Sequence, residues 1–287
     1  MEKQEAGRLA ETGAWIGTAA YLILSIFKLT VGYGGRSEAL TADGLNNTTD
    51  IIAMLAVIIG LRIARKPADR DHRYGHSRAE TIASLVASFI MAAVGIEVLI
   101  GAVSKLAGGE VETPGWTAAW VALLCAGVML AVYRFNLLLA RRTNSHALKA
   151  AAKDNLSDAW VSLGTVAGIA GAALGLPWLD GVTAVLVGLL ICWTAWTIFK
   201  EASHMLSDGF DETELEKLKS TVLGTDGVER VKDIKGRIHG NEVLVDLVIE
   251  VDKEMSVWDS HLITEKVEQV LQEEHKVKQA HVHIEPH

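Results

Sequence analysis

Six long apolar segments occupy most of this 287-residue chain and restrict the folds open to it. Hydrophobic residues make up 50% of the chain and fall in blocks. A helix needs about 20 apolar residues to cross a bilayer, and each block is near that length. The sequence therefore predicts a membrane domain, residues 1–203, with six transmembrane α-helices at roughly 13–33, 40–64, 79–104, 116–138, 147–174 and 178–199.

Two of these segments carry polar pairs, Asn46 with Asp50 in the second and Asp154 with Asp158 in the fifth. Residues four apart share one face of a helix, so each pair presents two oxygen-bearing groups to one point. A carboxylate inside a bilayer costs several kcal/mol unless it meets a cavity, a partner or an ion. Three carboxylates and an amide would repel one another without a proton or a cation between them. This pattern predicts a bound and translocated divalent cation.

The chemistry of these four residues narrows the choice of metal. They offer only oxygen, which suits Mn²⁺ better than thiolate-seeking ions, whereas zinc prefers nitrogen or sulfur. Asp43 and Asn47 lie on the same helix face and are additional candidates. The competing interpretation is helix capping or hydrogen bonding between helices. That interpretation could account for one aspartate, but it accounts poorly for two such pairs in separate segments.

The distribution of lysine and arginine predicts the orientation. Basic residues concentrate in the connections after the second and fourth segments, and the opposite connections hold few. Such basic connections face the cytoplasm. We expect a multi-pass protein of the plasma membrane with both termini inside and, since no signal peptide is visible, no cleaved leader.

The last part of the chain, residues 204–287, has a different composition. Residues 208–287 contain 10 Lys and Arg against 19 Asp and Glu, and six of the ten histidines. Period-2 and helical patterns alternate there in the order αββαβ, with a hairpin turn expected at Gly240 and Asn241. This order favours a small α+β domain with both helices on one face of a sheet. Its acidity implies affinity for cations and argues against nucleic acid as a partner.

Taken together, these features resemble the cation diffusion facilitator family of metal–proton antiporters. The resemblance covers essentially the whole chain and includes FKLTVGYGGRSEALTADGLNNTTDIIA, DRDHRYGHSRAETIASL and AAAKDNLSDAWVS. It implies a ferredoxin-like cytoplasmic domain, a homodimer and exchange of a divalent metal for protons. Zinc-transporting members usually have a histidine where this chain has Asp154, so the resemblance is to the manganese-exporting branch. Zn²⁺, Fe²⁺ and Co²⁺ remain alternative substrates.

A second candidate site lies in the basic connection, at Asp69, His72 and His76. Two histidines four apart would share one face if the segment were helical, which is a common metal geometry. The resemblance implies a comparable loop site, with Asp71 as a spare ligand. The alternative is a solvated loop whose histidines make local hydrogen bonds.

A third candidate site lies in the tail. Spacing places His281 and His283 on one strand face. The resemblance implies metals bound between the tails of two protomers, with ligands at Asp246, His261, His283 and Glu285. Lys232 stands where zinc members often have a histidine, and a cation there would disfavour a second metal. Histidines on a solvated edge strand are the competing interpretation.

Charged residues in or beside the predicted membrane helices are expected to have specific partners. Arg78 and Asp208 resemble a charge pair near the membrane surface. Glu97 is expected either to pair with Lys28 or to carry protons.

The main rival to an antiporter is a membrane metal sensor that binds a metal without translocating it. An enzyme is disfavoured because the chain has no HExxH motif, and a nucleotide-driven pump because it has no GxxxxGK[ST] loop.

Overall fold

The computed structural model describes the backbone of residues 2–64, 66–108, 113–143, 146–240 and 242–287. Side chains are described from residue 16 onward, except for the gaps in those ranges and for residues 57, 142–143 and 146–151.

Six long helices form the membrane part, as predicted. Each contains a segment long and apolar enough to cross a bilayer, and only 18% to 39% of each apolar segment is buried within the protein. Most of the apolar surface therefore faces outward, where lipid would cover it. The helices are α1 (Glu2–Gly34), α2 (Glu38–Ala64), α3 (Arg78–Gly108), α4 (Trp116–Thr143), α5 (His146–Ala173) and α6 (Trp178–Leu206).

Small residues allow these helices to approach closely. A Cβ added to Gly32 of α1 would lie 2.8 Å from the backbone nitrogen of Thr41 in α2. A Cβ added to Gly95 of α3 would lie 2.7 Å from the sulfur of Cys192 in α6. Membrane helices lack a hydrophobic drive to associate in lipid, so such close contacts supply much of their attraction.

The chain divides into two compact units. The first contains Met1–Leu55 and Ala87–Thr197, and the second contains Ala56–Val86 and Ile198–His287. The second unit thus joins the connection between α2 and α3 to the tail. The domain boundary predicted at 203/204 concerns a different division, that between the membrane and the cytoplasm, and it stays a prediction.

The tail has the predicted αββαβ order and forms a three-stranded sheet. Strands β1 and β2 pair antiparallel, while β2 and β3 pair parallel, which gives the order β1-β2-β3. The elements are α7 (Glu212–Leu223), β1 (Arg230–His239), β2 (Glu242–Val251), α8 (Val257–His275) and β3 (Gln279–Pro286).

Alternation along β2 builds the tail core. Val245, Leu247, Ile249 and Val251 are buried and share one face of the strand. Residues of both helices, including Val222 of α7 and Leu271 of α8, belong to the same buried cluster. Both helices therefore cover one face of the sheet, and the opposite face of β2 carries Asp246 and Glu250 together with Leu244 and Val248.

Local signals set the ends of these elements. The carboxylate of Asp211 accepts hydrogen bonds from the backbone N–H groups of Thr213 and Glu214, which caps α7. Gly240, after β1, has φ of +67°, a conformation that favours glycine. Asn241, the other residue of the predicted hairpin turn, lies outside the described residues.

Candidate functional site

Helices α2 and α5 bring three of the four predicted membrane ligands together. The amide nitrogen of Asn46 lies 3.3 Å from a carboxylate oxygen of Asp158 and 3.4 Å from one of Asp50. Asn46 and Asp158 are buried, with 6% and 8% of their surface exposed. The i,i+4 spacing on α2 and the packing of α2 with α5 therefore bring these candidate oxygen ligands together.

Asp154 lies one helical turn before Asp158, on the same face of α5. It is exposed, whereas Asp50 is half-buried and Asp158 is buried. The exposure of the carboxylates therefore increases from Asp158 toward the N-terminal end of α5. Since that end comes soon after Arg141 and Arg142 of the basic segment 141–149, Asp154 lies on the side that the sequence predicts to face the cytoplasm.

Tyr21 contributes a contact to this cluster that the sequence did not predict. Its hydroxyl donates a hydrogen bond to the second carboxylate oxygen of Asp158, and its side chain is buried. A hydrogen bond of this kind orients a ligating carboxylate. The only signal in the sequence was a hydroxyl inside an apolar segment, and a buried tyrosine hydroxyl can find its partner on any neighbouring helix.

A second polar cluster lies next to the first and is centred on Lys28 of α1. The ammonium is 2.9 Å from an oxygen of Asp43, 2.6 Å from the amide oxygen of Asn47 and 2.9 Å from the hydroxyl of Ser162. Asp43 and Asn47, the additional candidates for the metal site, are thus engaged with Lys28. The predicted pairing of Lys28 with Glu97 is wrong. Lys28 faces α2 and α5, and Glu97 is exposed on α3.

The loop candidates also come together, although not on a helix. Nitrogen atoms of His72 and His76 each lie 3.3 Å from an oxygen of Asp69, and the three ligand atoms all lie within 4.8 Å of one another. The segment between α2 and α3 is an irregular turn in which Gly75 has φ of +82°. The helical geometry considered for the two histidines is therefore not the one present, and a turn brings the two imidazoles together.

Asp69 is held in its charged form by the loop itself. Its carboxylate accepts hydrogen bonds from the backbone N–H groups of His72 at 2.7 Å and Asp71 at 3.0 Å. The bond from His72 is the main reason why the pKa of Asp69 is below its usual value. Asp71 contributes its backbone here, and it is not part of the three-residue cluster.

The sheet of the tail gathers most of the third set of candidates on its outer face. In the parallel pairing, Asp246 lies opposite His281, and Glu250 lies opposite Glu285. Because Val245 and Leu247 face the core, Asp246 points to the other side, as do the exposed His281 and His283.

His261 is separated from the other tail candidates within one chain. It is exposed on α8, which packs on the opposite face of the sheet, and its ring lies 3.5 Å from Glu265. A site that used His261 together with the outer face of the sheet would therefore need a second copy of the chain.

The acidic residues of the outer face already have basic partners. Asp246 lies 3.3 Å from Arg237, Glu285 is paired with Lys232, and Glu250 lies 3.0 Å from His287. The pairing with Glu285 raises the pKa of Lys232. A metal ion that used these carboxylates would have to displace those contacts.

The connection between α2 and α3 contacts the tail within the second unit. Arg78, the first residue of α3, forms an ion pair with Asp208. The ring centroid of Tyr74 lies 6.4 Å from that of His239 in β1. Burial first, and then the positive charge of Arg78, hold the pKa of His239 below its usual value.

The comparisons with known proteins agree with this arrangement. The cation efflux transmembrane domain matches residues 14–207, and the cytoplasmic domain of cation efflux proteins matches residues 210–287. The chain belongs to the cation diffusion facilitator family. It has the architecture predicted for that family, with six membrane-spanning helices followed by the αββαβ domain.

Individual relatives of this facilitator span nearly its whole length. The manganese efflux system protein MneS of Bacillus subtilis is 54% identical over 286 residues, which is 100% of this chain and 99% of MneS. The magnetosome protein MamM of Paramagnetospirillum magneticum is 32% identical over 276 residues, 93% of this chain and 85% of MamM. A solved structure of a MamM CTD variant is 27% identical and covers 26% of this facilitator and 96% of its own chain, with a TM-score of 0.26.

Proposed function

We propose that this facilitator exports Mn²⁺ from the cytoplasm in exchange for protons. The observation that carries the proposal is the convergence of Asn46, Asp50 and Asp158 on one point between two membrane-spanning helices. These side chains offer oxygen only, and carboxylate and carbonyl oxygens suit Mn²⁺. The similarity to MneS, named as a manganese efflux protein, supports the same substrate.

Competition for the carboxylates would couple metal to protons. A carboxylate must be deprotonated to hold a metal, so metal and proton binding exclude each other at the same oxygen atoms. Asp154 is our candidate for the switching carboxylate, since it lies one turn from Asp158 at the exposed end of the cluster. Alternating access would expose the cluster to one side of the membrane and then to the other.

The tail and the loop would regulate this exchange. We propose that the chain is a homodimer of the plasma membrane, with both termini and residues 204–287 in the cytoplasm. A second copy would bring its own His261 toward the outer face that holds Asp246, His283 and Glu285. The cluster of Asp69, His72 and His76 would bind a further metal ion. Binding at either place would favour one conformation of the transporter.

The decisive experiment measures flux in proteoliposomes. The purified protein is reconstituted, and Mn²⁺ and Zn²⁺ fluxes are recorded with and without a pH gradient. We expect proton-driven Mn²⁺ flux that Asp50→Asn abolishes. Metal binding without flux of either ion would overturn the antiporter and leave a membrane sensor. Equal Mn²⁺ flux with and without the gradient would overturn the proton coupling alone.

A second arm tests the metal assignment with Asp154→His. Exchanging an oxygen ligand for nitrogen should shift the flux from Mn²⁺ toward Zn²⁺. Strong Zn²⁺ flux in the parent protein would contradict the proposed substrate while leaving the family unchanged. Fe²⁺ and Co²⁺ are tested in the same assay as competitors of Mn²⁺.

A further inference from the structure

The ammonium of Lys28 lies in a closed cage of oxygen atoms. Asp43, Asn47 and Ser162 supply these atoms, and they lie 2.6 to 2.9 Å from the nitrogen. All four residues have 0% of their surface exposed. The hydroxyl of Ser162 also donates to the other oxygen of Asp43 at 2.9 Å, so both carboxylate oxygens are engaged.

The cage repeats the construction of the candidate transport site next to it. Asp43 and Asn47 are four residues apart on α2, as are Asn46 and Asp50. Ser162 lies one helical turn after Asp158 on α5. The same two helices thus form two neighbouring oxygen clusters, and an α1 side chain reaches into the second.

The charges of the cage match a monovalent cation. Asp43 brings one negative charge, while Asn47 and Ser162 are neutral, so the single positive charge of the ammonium balances the cage. An ammonium group and a potassium ion are similar in size. A buried carboxylate without such a cation would be strongly destabilising.

We propose that this cage is a monovalent cation site that the tethered ammonium of Lys28 fills permanently. A tethered cation keeps the cage occupied whatever ions surround the protein. The neighbouring transport cluster is thereby kept from sharing a second, exchangeable ion. The inference goes beyond the proposed transport function and does not depend on it, because cation binding in the cage is measured without metal or flux.

The test removes the cation and returns it in free form. Lys28→Ala deletes the side chain beyond Cβ, and the missing fragment corresponds to propylammonium. Thermal unfolding of the full-length protein in detergent is followed in the chlorides of potassium, propylammonium and, for reference, the bulky N-methyl-D-glucamine. Propan-1-ol serves as the uncharged counterpart of propylammonium.

We expect potassium and propylammonium to raise the Tm of Lys28→Ala by about 5 °C over the reference salt, as a saturable ligand of the folded state would. Propan-1-ol should not raise it. The parent protein and Lys28→Ala/Asp43→Asn should show no such difference between salts. Lys105→Ala is the matched control, because Lys105 also pairs with an acidic residue of α2, Glu38, but 52% of its side chain is exposed.

Two results would overturn the proposal. One is a folded Lys28→Ala protein that melts at the same temperature in all three salts, which would make the contact an ordinary ion pair. The other applies if Lys28→Ala does not fold in the reference salt. Potassium or propylammonium present throughout purification should then restore a monodisperse protein. If neither does, the proposed cation site is contradicted.

Discussion

The hydroxyl of Tyr21 donates a hydrogen bond to the carboxylate of Asp158, which joins α1 to α5 at the candidate transport site. The other oxygen of that carboxylate lies 3.3 Å from the amide nitrogen of Asn46. Asp158 is thus held from two sides, by one residue that belongs to the proposed ligand set and one that does not.

Tyr21→Phe should weaken Mn²⁺ binding while leaving the fold intact. Loss of a hydrogen bond to a ligating carboxylate typically lowers metal affinity by about 10- to 100-fold. Titration calorimetry of the purified protein measures the affinity. Tyr33→Phe, on the exposed side of the same helix, should have no effect. Unchanged affinity in Tyr21→Phe would show that the hydrogen bond does not orient the ligand.

Adjacent asparagines on α2 should behave differently when replaced by alanine. Asn46→Ala removes a proposed ligand, so Mn²⁺ affinity should fall by about tenfold or more, with a small change in stability. Asn47→Ala removes an acceptor of the buried Lys28 ammonium, and about 1–3 kcal/mol of stability should be lost. Calorimetry and thermal unfolding separate the two effects. The opposite pattern would mean that Asn47 is the ligand.

Lys232→Ala should increase metal binding by the tail. The lysine is paired with Glu285, and the freed carboxylate would gain affinity for a divalent cation. Equilibrium dialysis with Mn²⁺, in an Asp50→Asn background that disables the transport site, should show a several-fold gain. Lys235→Ala is the control, since Lys235 pairs with Asp233, which is not a candidate ligand. If both variants bind equally, Lys232 does not limit the tail site.

His239 should make the stability of the second unit depend on pH. Its pKa is lowered from the ordinary 6.5 by burial, then by Arg78 and Arg237, although Glu242 and Asp208 act in the opposite direction. A histidine with a lowered pKa takes up fewer protons when folded than when unfolded. Stability is therefore fully present above about pH 7 and decreases as the pH falls through the ordinary pKa toward the folded one.

The effect is measured as the difference between the parent and His239→Gln in thermal unfolding from about pH 7.5 to about pH 5, a range that spans the ordinary histidine pKa. The parent should lose more stability on acidification than the variant does. His281→Gln, on the exposed face of β3, serves as the control. A parent and a His239→Gln variant with parallel pH profiles would rule out this role for His239.

Several predictions depended only on residues close together in the sequence, and the structure confirms the predicted helices and strands. Apolar length predicted the six membrane helices, and alternating valine and leucine residues predicted β2 and the face that it buries. The i,i+4 spacing of Asn46 and Asp50 predicted their proximity on α2. Each of these relations concerns residues within one element, where backbone geometry alone fixes the neighbours.

The surroundings of individual residues could not be predicted from the sequence. For His72 and His76, a shared face depended on a helical segment, and it is a turn around Gly75 that brings them together instead. Glu97 was expected either to pair with Lys28 or to carry protons, and the pairing is wrong because Lys28 faces α2 and α5. His261 was expected at a metal site between the tails of two protomers. Within one chain α8 places it on the other side of the sheet from Asp246 and His283, and the site stays a prediction.

The sequence by itself determined the number and type of elements, the oxygen-only character of the candidate site and the acidity of the tail. Composition and local period suffice for these properties. Only the tertiary structure decided that Tyr21 would contact Asp158 and that Ser162 would contact Lys28, pairs that are 137 and 134 residues apart. Such contacts depend on which helix faces pack together, and in lipid many faces of similar apolar character compete for each position.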